Sequence, residues 1–311
     1  MTRRTTGPWD CVVVGAGAAG LSAGLTLARA RRTTLIIDAG QQSNLAAPDI
    51  GGLLGHDRQA PARFYAAGRV ELAAYPYVES RPGEVARGEH EDDGGFAVTL
   101  SDGRRERARS IVLAPGMDYR YPRLPGMDER WGSSVFHCPF CRGWEVRDRP
   151  LGVLADGAVG VHGALNLRAW SDRITLLTNG SGKLTDEQRE RLVAGGVGVD
   201  ERPIAALDGP GAELRSVVFA GGGELAVGAL LVKTVLHQRS SLAGDLGATV
   251  IEPDEMLSVE AIKVDAMQRT GVPGLYAAGD AATSVPPSMA AAVASGHLAG
   301  ASAAVGLAAG Y

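Results

Sequence analysis

Residues 11–20 read CVVVGAGAAG, and this short stretch restricts the chain to a narrow set of folds. Four apolar residues, three of them β-branched, suit a buried strand. Gly15-x-Gly17-x-x-Gly20 follows, with Ala18 and Ala19 between the second and third glycines. An Ala- and Leu-rich helical stretch then runs to about Arg31, and TLIID forms a second apolar strand ending in Asp38. Strand, glycines, helix, strand and acid in this order make a dinucleotide-binding βαβ fingerprint. Gly15 permits the tight turn, Gly17 lets backbone approach a pyrophosphate, and Gly20 lets the helix lie close to the strand. The free N–H groups of the helix N-terminus point at the phosphates. Asp38 is placed to accept hydrogen bonds from a ribose diol.

The chain has 311 residues, 45% hydrophobic and 21% charged, which predicts roughly two domains with ample core. A net charge of −4 gives no reason to expect nucleic acid or an anionic membrane as partner. Three cysteines do not make an extracellular disulfide framework. MTRRTTGPWD leads straight into a strand without an apolar signal core, so a cytoplasmic location is expected. The run from Ser288 to Gly310 is long and almost uncharged, with Gly296 and Gly300 four apart. That spacing occurs in membrane helix dimers. Its Ala and Gly content and its histidine instead predict a tightly packed helix, and no membrane association.

Two of the cysteines, Cys138 and Cys141, lie in FHCPFCRGW. A zinc site needs two further ligands, which the third cysteine, Cys11 in the first strand, and the scattered histidines do not supply; no metal is expected. A redox dithiol fits better than a structural disulfide.

Two further segments carry a resemblance. GLYAAGDAAT, residues 274–283, is similar to the second FAD motif of the two-dinucleotide-binding flavoproteins, with Gly279 and Asp280 at its turn. IVLAPGM, residues 111–117, resembles the strand-then-glycine exit from an FAD domain, with Gly116 as that glycine and Pro115 where a threonine is usual. Together with GAGAAG and CPFC, these make the whole chain resemble the low-molecular-weight thioredoxin reductases. The resemblance implies an α/β fold of two Rossmann-like domains. A discontinuous FAD-binding domain (1–115 and 243–311) would surround a smaller inserted domain (116–242) that carries the C-x-x-C. Turn-rich junctions at 114–128 and 237–247 agree with this division. In the insert, strands are expected at 151–155, 174–178 and 229–236, and helices near 160–171 and 184–195. The run at 87–114 reads as a β-hairpin region with SDG as a turn.

By the same resemblance, FAD is the cofactor and Cys141 faces the flavin, while Cys138 exchanges with an outside thiol. Asp280 approaches the ribityl and pyrophosphate region. A homodimer is expected on the same ground, and the N–H-rich start of the C-terminal helix, with Met289 and Ala290, is expected to stabilise negative charge on a reduced flavin. The chain departs from the family directly after the second cysteine, where the reductases carry an aspartate proton donor and this chain has Arg142. Arginine does not shuttle protons. His137 and His56 are therefore the candidate acid–base residues. A second departure lies in the insert. Its fingerprint reads Ala155-x-Gly157-x-x-Gly160, with Ala for the first glycine, and TNGSGKLTDEQRER lacks the arginine cluster for a 2′-phosphate. Arg168 and Lys183 are the remaining cations nearby. The combination resembles the FAD-dependent dithiol oxidases found with the biosynthesis of disulfide natural products such as holomycin and gliotoxin. That implies oxidation of a small-molecule dithiol, with O2 reduced to H2O2. The alternatives are an NADPH-dependent disulfide reductase with an atypical nucleotide site, and a reductase fed by a ferredoxin-type donor.

Overall fold

A computed structural model describes residues 7–253, 260–283 and 286–310. The chain divides into two compact units. The first comprises Met1–Leu45, Gln59–Tyr119 and Leu236–Tyr311, and the second comprises Ala46–Arg58 and Arg120–Val235. Residues 46–58 lie within the stretch that the sequence assigns to the first domain, yet they group with the second.

The first unit opens with β1 (Trp9–Val14), α1 (Ala18–Arg29) and β2 (Thr34–Asp38), the strand–glycine–helix–strand order of the fingerprint. It continues with α2 (Pro61–Ala73), β3 (Val78–Pro82), β4 (Val85–His90), β5 (Phe96–Leu100) and β6 (Arg105–Leu113), and β7 (Met117–Arg120) leads out of it. The sheet runs β3-β2-β1-β6-β5-β4. β1 pairs in parallel with both β2 and β6, whereas β4, β5 and β6 form an antiparallel meander. Both faces of the parallel part are covered. Val12, Val14, Leu35 and Ile37 point into one core, and Cys11, Val13 and Ile36 into the other. Covered faces explain why these strands read as unbroken apolar runs.

In the second unit, β8 (Val135–Phe136) precedes α3 (Pro139–Val146). Then come β9 (Leu151–Leu154), α4 (Gly157–Leu167), β10 (Ile174–Leu177), α5 (Asp186–Ala194) and β11 (Gly198–Asp200). The antiparallel meander β12 (Ile204–Asp208), β13 (Ser216–Phe219) and β14 (Glu224–Ala226) leads to β15 (Ala229–Val232). The parallel sheet has the order β11-β10-β9-β15-β8, so this unit is a second Rossmann-like fold.

The run 229–236 is two strands rather than the single strand expected. β15 ends where the Lys233 N–H bonds Leu154 O, and β16 (Val235–Gln238) starts a new pairing with β7. α6 (Leu242–Asp245) and β17 (Leu275–Ala277) follow, and β17 pairs in parallel with the C-terminal half of β6. α7 (Met289–Ala309) is long and apolar enough to span a bilayer, but it packs along α1. A Cβ on Gly296 would lie 2.1 Å from Ala19 O, and one on Gly300 would lie 2.6 Å from Ala23 O. The glycine pair spaced four apart is thus a seat for a neighbouring helix of the same chain.

Candidate active site

The first unit holds a cradle built around the fingerprint. Gly15 has φ +98°, and a Cβ there would lie 2.2 Å from Ala114 O. A Cβ on Gly20 would lie 1.8 Å from Gly15 O, so only glycine lets α1 approach its strand this closely. Gly17 is the N-cap of α1 and no side chain caps the helix, which leaves first-turn N–H groups, among them those of Ala18 and Ala19, for an anion. Space in front of Gly17 is open, with Gln42 Cγ the nearest atom, 3.9 Å from an added Cβ. Asp38 ends β2 and accepts hydrogen bonds from Gly40 N–H and from Gln42 Nε2, both at 3.0 Å.

The far end of the chain enters the same cradle. Gly279 has φ +70°, and a Cβ on it would press Ala19 Cβ at 2.9 Å. Its N–H donates to Ser295 Oγ on α7. Asp280 accepts a hydrogen bond from Tyr119 Oη at 2.9 Å. Burial pushes the Asp280 carboxyl up, while the Tyr119 hydrogen bond and the Arg239 charge hold it down. Burial and the facing Asp280 push the Tyr119 hydroxyl well up, so it stays a donor. Arg239 donates from Nη1 to Gln41, but its buried Nε has no hydrogen-bond partner among the described residues. That Nε lies 3.9 Å from where a Cβ on Gly116 would stand. Met289 Sδ receives Asn44 Nδ2 and Tyr65 Oη, and Ser288 caps α7 by accepting from Ala291 N–H. Ala290 is exposed on the first turn of that helix.

Sequence reading missed Tyr119, Arg239, Gln42, Asn44 and Tyr65. Arg239 lies in the HQRSS junction, which reads only as a turn. Gln42, four residues beyond Asp38, had a signal in that spacing.

The second unit carries the cysteine pair. Cys138 and Cys141 form a disulfide with Cα atoms 5.3 Å apart. Cys138 is the N-cap of α3 and Pro139 its first residue, so both sulfurs belong to the helix N-terminus. A thiolate at this end is stabilised by the helix dipole. His137 precedes the pair. Its ring stacks on Trp131, with centroids 5.9 Å apart, and Trp131 stacks in turn on Tyr121 at 4.0 Å. Desolvation in this stack depresses the His137 pKa to about 4, so the imidazole is neutral at neutral pH. His56 lies in the same unit, in a turn where its N–H bonds Leu53 O. Gly51, from that segment, sits against the motif: a Cβ on it would lie 2.2 Å from Cys141 O. Arg142 Nη1 donates to Asp49 Oδ1 at 2.6 Å. Cys11, the third cysteine, is fully buried, and burial pushes its thiol up to about 12, which removes it from thiol chemistry.

The weakened fingerprint of the second unit has a structural counterpart. Gly160 still packs closely, since an added Cβ would lie 3.1 Å from Ala155 O. The N-cap of α4, however, is Asp156, whose carboxylate pairs with Lys183 at 3.2 Å. A carboxylate at a helix N-terminus competes with a phosphate for that position. Arg168 bonds Gly195 O and pairs with Asp172. Beyond β10 and β11, Arg189 pairs with Glu201 and Arg202 with Asp200.

Two Rossmann-like units, a glycine cradle with a buried acid, and a C-x-x-C disulfide on a helix N-terminus define a dinucleotide-binding disulfide oxidoreductase. The pattern of the pyridine nucleotide-disulphide oxidoreductase family matches residues 9–296, and the chain belongs to that family. Among its relatives is thioredoxin reductase tcpT of Claviceps purpurea (strain 20.1), 32% identical over 304 residues and covering 94% of this chain and 92% of that one. Thioredoxin reductase sirT of Leptosphaeria maculans is 29% identical, covering 88% and 87%. The crystal structure of HlmI superposes with a TM-score of 0.89 at 34% identity, covering 99% of this chain and 95% of that one. An oxidoreductase from Agrobacterium tumefaciens gives 0.90 at 35% identity, covering 98% and 100%.

FAD is the cofactor of this family, and the first unit fits it. The uncapped α1 N-terminus offers donors for a pyrophosphate, and Asp38 offers acceptors for a ribose. The partnerless Arg239 Nε offers one buried cationic donor more.

Proposed function

We propose that this enzyme oxidises a small-molecule dithiol to a disulfide through Cys138 and Cys141, with FAD as cofactor and O2 as the final acceptor, giving H2O2. The observation that carries this reading is the second unit's nucleotide site. The N-cap of its first helix is a carboxylate, Asp156, which pairs with Lys183 and does not cap the helix, and the nearby arginines pair with carboxylates and carbonyls. A nicotinamide dinucleotide with a 2′-phosphate would meet little to hold it. The resemblance to disulfide-forming oxidases of natural-product pathways points the same way, and it adds a homodimer.

One substrate thiolate attacks Cys138 Sγ. The Cys138–Cys141 bond breaks as the mixed disulfide forms, and the electron pair of the broken bond stays on Cys141 Sγ. The second substrate thiolate then attacks the substrate's own sulfur in the mixed disulfide. The cyclic disulfide leaves, and Cys138 departs as thiolate. Two electrons now rest on the cysteine pair, and two protons have left the substrate. His137, next to Cys138 in the chain, is one candidate proton acceptor, a weak one because its pKa of about 4 lies far below that of a thiol. His56 is the other candidate for this task. FAD, when bound, supplies the two-electron acceptor that regenerates the disulfide and delivers the electrons to O2.

A reductase driven by a nicotinamide dinucleotide is the second reading. It is favoured by Thr178 Oγ1 and Ser181 Oγ, which are buried without hydrogen-bond partners among the described residues just beyond β10, where such a fold places a ribose. One experiment separates the two. The FAD-loaded enzyme is mixed anaerobically with NADPH, with NADH or with dithiothreitol, and the visible flavin absorption is followed. Bleaching by the dithiol alone, with recovery and peroxide on admitting air, is the expected result. Rapid bleaching by either nucleotide would overturn the oxidase reading.

A further inference from the structure

Arg142 stands directly after Cys141, where the sequence offers no proton donor. Its side chain is 11% exposed. Nη1 is bound to Asp49, but Nε is buried and has no hydrogen-bond partner among the described residues. A guanidinium keeps its charge at any pH the fold tolerates. An unpartnered donor on a buried cation is costly, and an acceptor that forms only during turnover would remove that cost. Long side chains on a helix lean back over the preceding turn. In α3 that turn holds both sulfurs.

We propose that Arg142, held by Asp49, is the positioning residue that receives the negative charge released on Cys141 when the disulfide opens. A fixed cation thereby replaces the missing proton donor. This rests on reading the pair as redox-active. The electron pair of the broken S–S bond stays on Cys141 Sγ, and no proton has to follow it. Gly51, whose lack of a side chain admits the 46–58 segment against Cys141 O, brings Asp49 within reach.

The other charged and titratable groups on the surrounding elements are few. Asp49, His56, Asp57 and Arg58 lie in the 46–58 segment, and Asp57 accepts from Gly52 N–H. His137 precedes the motif and carries no charge at neutral pH. Glu145 lies on α3 itself, followed by Arg147 stacked over Trp144, and by Asp148. Arg168, Asp172 and Arg173 flank Trp170, which meets Gly143.

The test uses the FAD-loaded protein, fully reduced anaerobically with excess phosphine. The rate of iodoacetamide labelling at each cysteine is read by mass spectrometry against pH. Arg142→Met should raise the labelling midpoint of Cys141 by about one pH unit, which is about a tenfold loss of thiolate below it. Arg142→Lys should restore most of that shift. Asp49→Asn should move the midpoint the opposite way from Arg142→Met, because it uncovers the cation. If Arg142→Met leaves the midpoint unchanged in protein with native circular dichroism, the proposal is overturned. It is also overturned if Arg142→Met and Asp49→Asn move the midpoint in one direction, as loss of a mere clamp would. If phosphine and dithiothreitol leave the wild-type pair unlabelled, the redox reading falls and this inference falls with it.

Discussion

Tyr119 Oη donates to the buried carboxylate of Asp280 at 2.9 Å, joining β7 to a turn 161 residues further along the chain. Tyr119→Phe removes the hydrogen bond that counters the upward shift of Asp280. A carboxyl whose folded pKa is raised favours folding below its unfolded pKa, and that contribution is lost as pH rises through the folded value. The variant should therefore lose more stability at neutral pH, about 1–3 kcal/mol, than in acid. Thermal unfolding of the apoprotein across pH checks the sign; an equal loss at both ends would contradict it.

Gly20→Ala should abolish FAD retention. The added methyl would lie 1.8 Å from Gly15 O, and backbone does not yield as a side chain can. Displacing α1 also moves the N–H groups that face the pyrophosphate. The expected destabilisation is about 3 kcal/mol or more. Flavin content after gel filtration and the unfolding midpoint read the two effects separately.

Cys141→Ser should stop dithiol-driven flavin bleaching while leaving bound FAD intact. Cys138 in this variant should be trapped by an activated thiol as a stable mixed disulfide, visible by mass spectrometry. Undiminished bleaching would show that electrons bypass the pair.

His137→Phe keeps a ring on Trp131 and removes a titrating group. The folded pKa of about 4 lies below the unfolded value near 6.5, so wild-type stability falls as pH drops through this window. The cost reaches about 3 kcal/mol near the lower end. Denaturant midpoints should show a shallower acid slope in the variant. An unchanged slope would mean that His137 is not desolvated as the stack implies.

Gly51→Ala places a methyl 2.2 Å from Cys141 O, so the 46–58 segment must draw back from the motif. Faster limited proteolysis within that segment is expected, together with slower reduction of the disulfide by dithiothreitol. Wild-type rates in both assays would show that the contact is dispensable.

The features legible in the sequence are those whose physics is local. Gly15, Gly17 and Gly20 form a turn and a helix start within one strand–helix unit. Cys138 and Cys141 are brought together by the first turn of α3, whereas Gly279 is legible only through the resemblance of GLYAAGDAAT to a flavoprotein motif. β-branched runs buried on both faces give away the parallel sheets. The run 229–236 misled because an unbroken apolar pattern does not mark where a chain leaves one sheet for another.

What the tertiary structure alone decided depends on residues far apart in the chain. Arg142 and Asp49 are 93 positions apart, and neither periodicity nor propensity links them. The pairing of Tyr119 with Asp280, the partnerless Nε of Arg239 and the seating of Gly296 on Ala19 are of the same kind. Sequence patterns encode the secondary elements and their buried faces. Which charge meets which carboxylate is set when those faces close, because desolvation then makes each buried polar group find a partner or wait for one.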